Sequence, residues 1–303
     1  MRGGLTICLA ATALAVVASA GARSGAANGR IGYLRALGGN EPPFLHLFAV
    51  YPDGSGAVDL TPAGYTDIRS FAWSPDGRRI AFSAVADGEH DPDLFVMDAN
   101  GGSVRRLTRN QLTDWQPTWS PDGRWIAFTR AGSISQIVRI RADGRGQRQV
   151  TRWRTHGSCD APAWSPRGTL IACDCRGGVL QKIDLVRPDG RLVRILLRRR
   201  KGVELGPDWS PDGRLIAFGR GTGWPSYQPL GIWTIRPNGH GLHRLLARGG
   251  DPVFSPDGRR LAFVWFRDEN QEVYKARADG TGMVQLTSTN GIFEDEPDWQ
   301  RAP

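Results

Sequence analysis

The sequence predicts an all-β protein, a six-bladed β-propeller with four antiparallel strands per blade. Three observations lead there. One phrase recurs along the chain: FAWSPDGRRIAF ending at Phe82, PTWSPDGRWIAF at Phe128, PAWSPRGTLIAC at Cys173, PDWSPDGRLIAF at Phe218 and PVFSPDGRRLAF at Phe263. Its aromatic (Trp73, Trp119, Trp164, Trp209, Phe254, Trp299) returns at steps of 46, 45, 45, 45 and 45 residues. The last copy, EPDWQRAP, stops partway through the phrase. A fixed period of this length is the signature of a repeat architecture, and about 45 residues is the size of a propeller blade.

Each unit reads as four strands. The first ends at the repeat aromatic. Ser-Pro-Asp-Gly then makes a tight turn, because proline presets φ and glycine closes it without a steric cost. The second strand, Arg79 to Ser83 in the first full copy, has no polar face, so both sides must be covered. The third strand ends in Asn-Gly or Asp-Gly, as in DLFVMDANG and QIVRIRADG, which is a hairpin signal. A short fourth strand follows (VRRLT, QRQVT, MVQLT). Upstream of Trp73 only strands two to four are found: RIGYLRA, LHLFAVYPDG and AVDLTP. The missing first strand is Glu296 to Gln300, so the C-terminus is expected to complete the N-terminal blade and close the ring. Closure removes sheet edges that would otherwise pair with other chains.

The ends and the charge bound the setting. Residues 1–20 combine Met1-Arg2, an apolar run from Leu5 to Val17 and an Ala18-Ser19-Ala20 cleavage pattern, and read as a secretory signal peptide. Residues 21–28 are then a short N-terminal segment and 29–303 the propeller. The expected location is therefore outside the cytoplasm: periplasmic, cell-envelope or secreted, with no transmembrane span after cleavage. The whole chain carries +9 with 39 Lys+Arg against 30 Asp+Glu. Such a balance suits nucleic acid, anionic envelope polymers or acidic lipid headgroups, and is equally the bland outcome of the Arg-over-Lys usage of a GC-rich genome. The strongest basic run, LLRRRKG (196–202), reads as an edge strand protected by charge or as a polymer contact. Without interleaved aromatics it does not point to nucleic acid. Three cysteines follow the leader. If Ser165-Pro-Arg-Gly168 turns the chain, Cys159 and Cys175 face each other across two strands and are expected to form a disulfide. Cys173 sits in the slot of Phe82 and Phe128 and is expected to be a buried free thiol.

The phrase Trp-Ser-Pro-Asp-Gly-Arg-x-Ile-Ala-Phe, with Asp-x-Asp/Asn-Gly and a closing Leu-Thr, resembles the TolB-like PD40 (WD40-like) β-propeller repeat family over about residues 29–303. The resemblance implies a propeller, export to the periplasm and a role as a docking platform. TolB itself carries an additional N-terminal α/β domain, and residues 21–28 are too few to supply one, so its transport-system role does not carry over. Related propellers accompany serine peptidases, but no Gly-x-Ser-x-Gly elbow occurs here. No Cys/His set has zinc spacing, and no phosphate-cradling loop is present.

The expectation is therefore a non-catalytic monomer, without a cofactor, that binds a cell-envelope protein or polymer through the face around its channel. The alternative is a small lactonase- or glycan-lyase-type enzyme with a metal or acid site in the channel. Candidate site residues lie just upstream of each repeat aromatic: Asp67, Asp114, Asp160, Glu204, Asp251, and the cluster Glu294, Asp295, Glu296. As a ring they would receive a divalent cation or a basic segment, because like charges close together are costly until a cation answers them. The acidic loop DGEHDPD (87–93) is expected on the same rim. Trp224, between Gly223 and Pro225 in a long loop, is either a recognition anchor or folds onto its own loop.

Overall fold

The computed structural model describes residues 27–37, 44–65, 67–86, 89–177, 180–199, 203–222, 228–267, 270–289 and 294–302. They form six four-stranded antiparallel sheets arranged as blades around a channel. The innermost strands of blades two to six are Ile68–Trp73, Thr113–Trp119, Ser158–Trp164, Val203–Trp209 and Gly250–Phe254. Blade one takes its innermost strand from the end of the chain: Glu294–Arg301 pairs antiparallel with Asn28–Leu37, with Trp299 opposite Ile31 and Glu294 opposite Arg35. One four-residue helix, Trp153–His156, leads into blade four.

The repeated phrase builds the same local structure each time. In blade two, Gly77 N–H donates to the Ser74 carbonyl at 2.8 Å, and Arg79 N–H donates to Ser74 Oγ at 2.9 Å. Ser74 Oγ in turn donates to Asp76 Oδ1 at 2.5 Å. Gly77 needs its residue type, because φ is +68° and an added Cβ would lie 1.9 Å from the Arg301 carbonyl. After the turn the second strand is buried throughout, as Ile80, Ala81, Phe82, Ser83 and Ala84 show.

Blades pack through these strands, and at two junctions the repeat tryptophan adds a bond across them. Trp119 Nε1 donates to the Ala72 carbonyl of the preceding blade at 3.1 Å, and Trp209 Nε1 to the Ala163 carbonyl at 3.2 Å. The closing strand is tied on both sides. Arg35 and Glu294 form a 2.7 Å ion pair, and Gln300 accepts from Arg30 N–H while donating to the Gly77 carbonyl.

Blade four departs from the pattern. Cys159 and Cys175 sit opposite each other with Cα atoms 4.1 Å apart and are disulfide-bonded. Cys173 is free, fully buried, and its Sγ lies 3.6 Å from that of Cys175. The basic run at 196–202 begins on the outer strand Leu192–Arg199, and residues 200–202 lie outside the described residues. Among the described residues no helix is long and apolar enough to cross a membrane. The leader at 1–20 also lies outside them.

Two outcomes follow. Deleting residues 294–303 exposes the unpaired edge of Asn28–Leu37, and the truncated protein is expected to lose soluble, cooperative unfolding by circular dichroism. Unchanged melting would contradict the closure. Thiol titration of the denatured, unreduced protein lacking residues 1–20 is expected to give one reactive thiol. The Cys159→Ala/Cys175→Ala pair should lose ~3 kcal/mol in urea melts, the value for closing a loop of this length.

Candidate functional site

The channel wall is built from a step that five innermost strands share. Each breaks its ladder at a residue–proline pair: Gln116-Pro117, Ala161-Pro162, Gly206-Pro207, Asp251-Pro252 and Glu296-Pro297. Proline has no N–H to give the ladder, so the strand bulges there. The residue before it takes φ between +46° and +54°, a conformation costing roughly 1–3 kcal/mol for a residue with a side chain. At two of the five steps the N–H of the residue before proline reaches the preceding blade. Gln116 N–H donates to Ser70 Oγ of the preceding blade at 2.7 Å, and Ala161 N–H donates to Gln116 Oε1 at 2.9 Å.

The residue just before the repeat aromatic makes a second lateral bond where it is acidic. Asp298 Oδ2 accepts from Trp73 N–H at 2.7 Å, and Asp208 Oδ2 accepts from Phe254 N–H at 2.8 Å. Between these positions lies a cavity of ≈320 Å³ at the centre of the ring. Its wall is two-sided. Blades two to four contribute Ala72, Thr118, Ala163, Gln116 and Ala161, all neutral. Blades five, six and one contribute Asp208, Asp251, Glu296 and Asp298.

These acids are partly open to the channel but packed by protein on their other sides. Burial pushes Asp208 up to about 7 despite the Phe254 N–H, and the charge of Asp298 adds to the rise. Burial also raises Asp298 to about 7, against the N–H groups of Trp73 and Trp299. Asp251 is raised by burial and then by the Asp295 charge, and Glu296 by burial, Asp295 and Asp251. Asp295 rises by burial while holding Glu296 N–H at 2.8 Å. The group is proton-hungry and suited to taking up cationic charge.

The acids named from the sequence divide into two sets. Asp251, Asp295 and Glu296 come together here. Four others are spent on arginines: Asp114 is fully buried and bound bidentately by Arg130 at 2.7 and 2.8 Å. Asp67 pairs with Arg69 at 2.6 Å, Asp160 with Arg176 at 3.2 Å, and fully buried Glu294 with Arg35. From the acidic loop, Glu89 and Asp93 both grip Arg106, and Asp93 also accepts from Thr108 and Asn110. Asp87, the Glu204 side chain and Trp224 lie outside the described residues. Asp208 and Asp298 stand one residue before the aromatic, outside the stretch three to six residues upstream in which the sequence places its candidate acids. The available signal was the Pro-Asp-Trp triplet at 207–209 and 297–299, where proline marks the strand leaving its ladder.

Residues 65–223 match the profile of the PD40 family, the TolB beta propeller domain. This is just over half of the chain. The chain belongs to the TolB β-propeller domain family. A 41-residue stretch is 49% identical to the Tol-Pal system protein TolB of Thioalkalivibrio sulfidiphilus, covering 14% of this chain and 9% of that protein. Among solved structures, TolB from Acinetobacter baumannii superposes with a TM-score of 0.75 at 21% identity, over 90% of this chain and 66% of that one. A putative TolB from Agrobacterium tumefaciens gives 0.64 at 21% identity, over 86% and 89%. At such identities the superpositions speak for the propeller fold.

The raised acids set a pH dependence. Their folded-state values lie above those of an unfolded chain, so the folded protein holds more protons between pH about 4 and about 7. Stability is then greatest below that window and falls as pH rises through it. Thermal melts from pH 4 to 8 should show this decline, and Asp208→Asn/Asp298→Asn should flatten it. An unaltered slope would contradict the assignment.

Proposed function

We propose that this protein is an exported, non-catalytic propeller that binds a cell-envelope partner by receiving a cation or a Lys/Arg-bearing segment in its channel. One observation carries the reading: in a chain of net charge +9, four carboxylates line one side of the cavity, and the charge of Asp295 bears on two of them. Burial raises their proton affinity, and a positive group entering the channel relieves the same cost. The family membership supports a scaffold role, and the leader-like residues 1–20 support export.

The test replaces the three mutually interacting acids together, as Asp251→Asn/Asp295→Asn/Glu296→Gln. The variant should lose retention of envelope proteins on an affinity column, and binding of calcium or an oligolysine peptide by calorimetry should fall at least about tenfold. Its melting temperature at pH 7 should hold or rise, since charge repulsion is removed. Undiminished binding of all three probes would defeat the reading.

A further inference from the structure

The molecule carries a second charged cavity of opposite sign. It lies at the turn face, between blades two and three, and measures ≈480 Å³. Its wall is formed by Arg79, Arg105, Arg124, Arg141, Ala142, Trp125 and Asp143. Arg105, Arg124 and Arg141 are exposed and Arg79 is half-buried.

Four guanidinium groups converge here, and among the described residues none of them is in an ion pair. Asp143, the one carboxylate of the wall, is held by the Arg145 N–H at 2.9 Å. Asp76 and Asp122, on the adjoining turns, accept from the Ser74 and Ser120 hydroxyls and from the N–H groups of Arg78 and Arg124.

The arginines are held in place by uncharged groups. Arg79 stacks over Trp119 at 4.7 Å, Arg141 lies over Trp125 at 5.3 Å, and Arg105 Nη2 donates to the Ala142 carbonyl. Beyond Trp125 a neighbouring cavity of ≈440 Å³ is lined by Arg139 and Arg167. Arg139 stacks on the same indole at 4.3 Å, and its Nε is buried without a hydrogen-bond partner. Asp76 and Asp122 feel the charges of Arg79 and Arg124, yet four guanidiniums against the single wall carboxylate Asp143 leave a surplus of positive charge whose members repel one another. A group with several anionic oxygens answers them, because each arginine presents a planar fork of donors.

We infer that the cavity bounded by Arg79, Arg105, Arg124 and Arg141 is a binding site for a phosphate-bearing ligand. The guanidiniums bind the phosphate oxygens, Trp125 supports the Arg141 plane and Trp119 that of Arg79. A phosphate supplies this chemistry either free in solution or as the headgroup of an anionic lipid. The site does not depend on the acid-lined channel, which takes charge of the opposite sign.

The test uses the full protein lacking residues 1–20, with pyrophosphate as the soluble probe and phosphatidylglycerol vesicles as the lipid probe. Calorimetry at low ionic strength should show pyrophosphate binding that weakens with added sodium chloride. Arg79→Gln/Arg105→Gln should weaken it at least about tenfold, given the strength of hydrogen bonds to charged groups. Arg214→Gln/Arg244→Gln, exposed arginines of blade five, should leave it unchanged. If the first pair does not fold, the exposed pair Arg124→Gln/Arg141→Gln decides in its place. Vesicle co-sedimentation lost in the pocket variant assigns the lipid source. Pyrophosphate binding without vesicle binding assigns the free ligand. No binding of either probe, or equal weakening by the blade-five pair, overturns the inference. The channel variant Asp251→Asn/Asp295→Asn/Glu296→Gln should bind pyrophosphate like the wild type, so failure of one site is distinguishable from failure of the other.

Discussion

The ring rests on lateral bonds between innermost strands that have partly abandoned their own sheets. A four-stranded blade satisfies its backbone internally, but six blades need something to hold them edge to edge. The residue–proline step supplies it. It removes one ladder donor and turns the preceding residue to positive φ, so that Gln116 N–H reaches Ser70 and Ala161 N–H reaches Gln116. Asp208, Asp298, Trp119 and Trp209 add bonds of the same kind. Such bonds link blade one to two, two to three, three to four, four to five and five to six, and Glu294–Arg301 closes blade one by pairing with Asn28–Leu37. The channel chemistry and the joining of blades thus come from one set of residues.

Charge is sorted by this construction. Strands one and two, and strands three and four, turn at one end of each blade, and the chain crosses between blades at the other. The Gly-Arg ends of the turns and the third strands deliver arginines to the turn face. The acids cluster on first strands. Many acids outside the channel are neutralised locally, as Asp114 is by Arg130 and Glu294 by Arg35. The surplus left over is separated in space: carboxylates in the channel, guanidiniums between blades two and three. A net charge of +9 describes neither site.

Blade four shows how the repeat absorbs an exception. The slot held by Phe82, Phe128, Phe218 and Phe263 in other blades is Cys173, and its cross-strand partner is Asp184 where others place Phe95, Val138, Trp233 or Tyr274. Exchanging aromatic bulk for small and polar groups removes packing. Asp184 is fully buried and accepts from Lys182 Nζ at 2.9 Å, which keeps its charge answered. The Cys159–Cys175 bond joins the first two strands covalently beside this thinner core. Its turn also lacks the usual aspartate, Arg167 standing in its place. Ser165 Oγ still takes the Leu170 N–H at 3.0 Å, so the hydroxyl is the part the turn requires.

Blade number, strand order, the tight turns, the borrowed closing strand and the cysteine pairing were all legible in the sequence. Each depends on residues close along the chain, or on a period counted from one copy to the next. Which acids face the channel was not legible. Asp114 and Asp251 lie five and three residues before their repeat aromatics, yet this two-place difference has one meet Arg130 across its own sheet and the other, at a bulge, meet Asp295 from a strand about 45 residues on. The convergence of Arg79 and Arg105 from blade two with Arg124 and Arg141 from blade three was hidden for the same reason. A repeat specifies what each blade does to itself, while juxtaposition across blades depends on bulges and packing angles. Only the closed ring sets those.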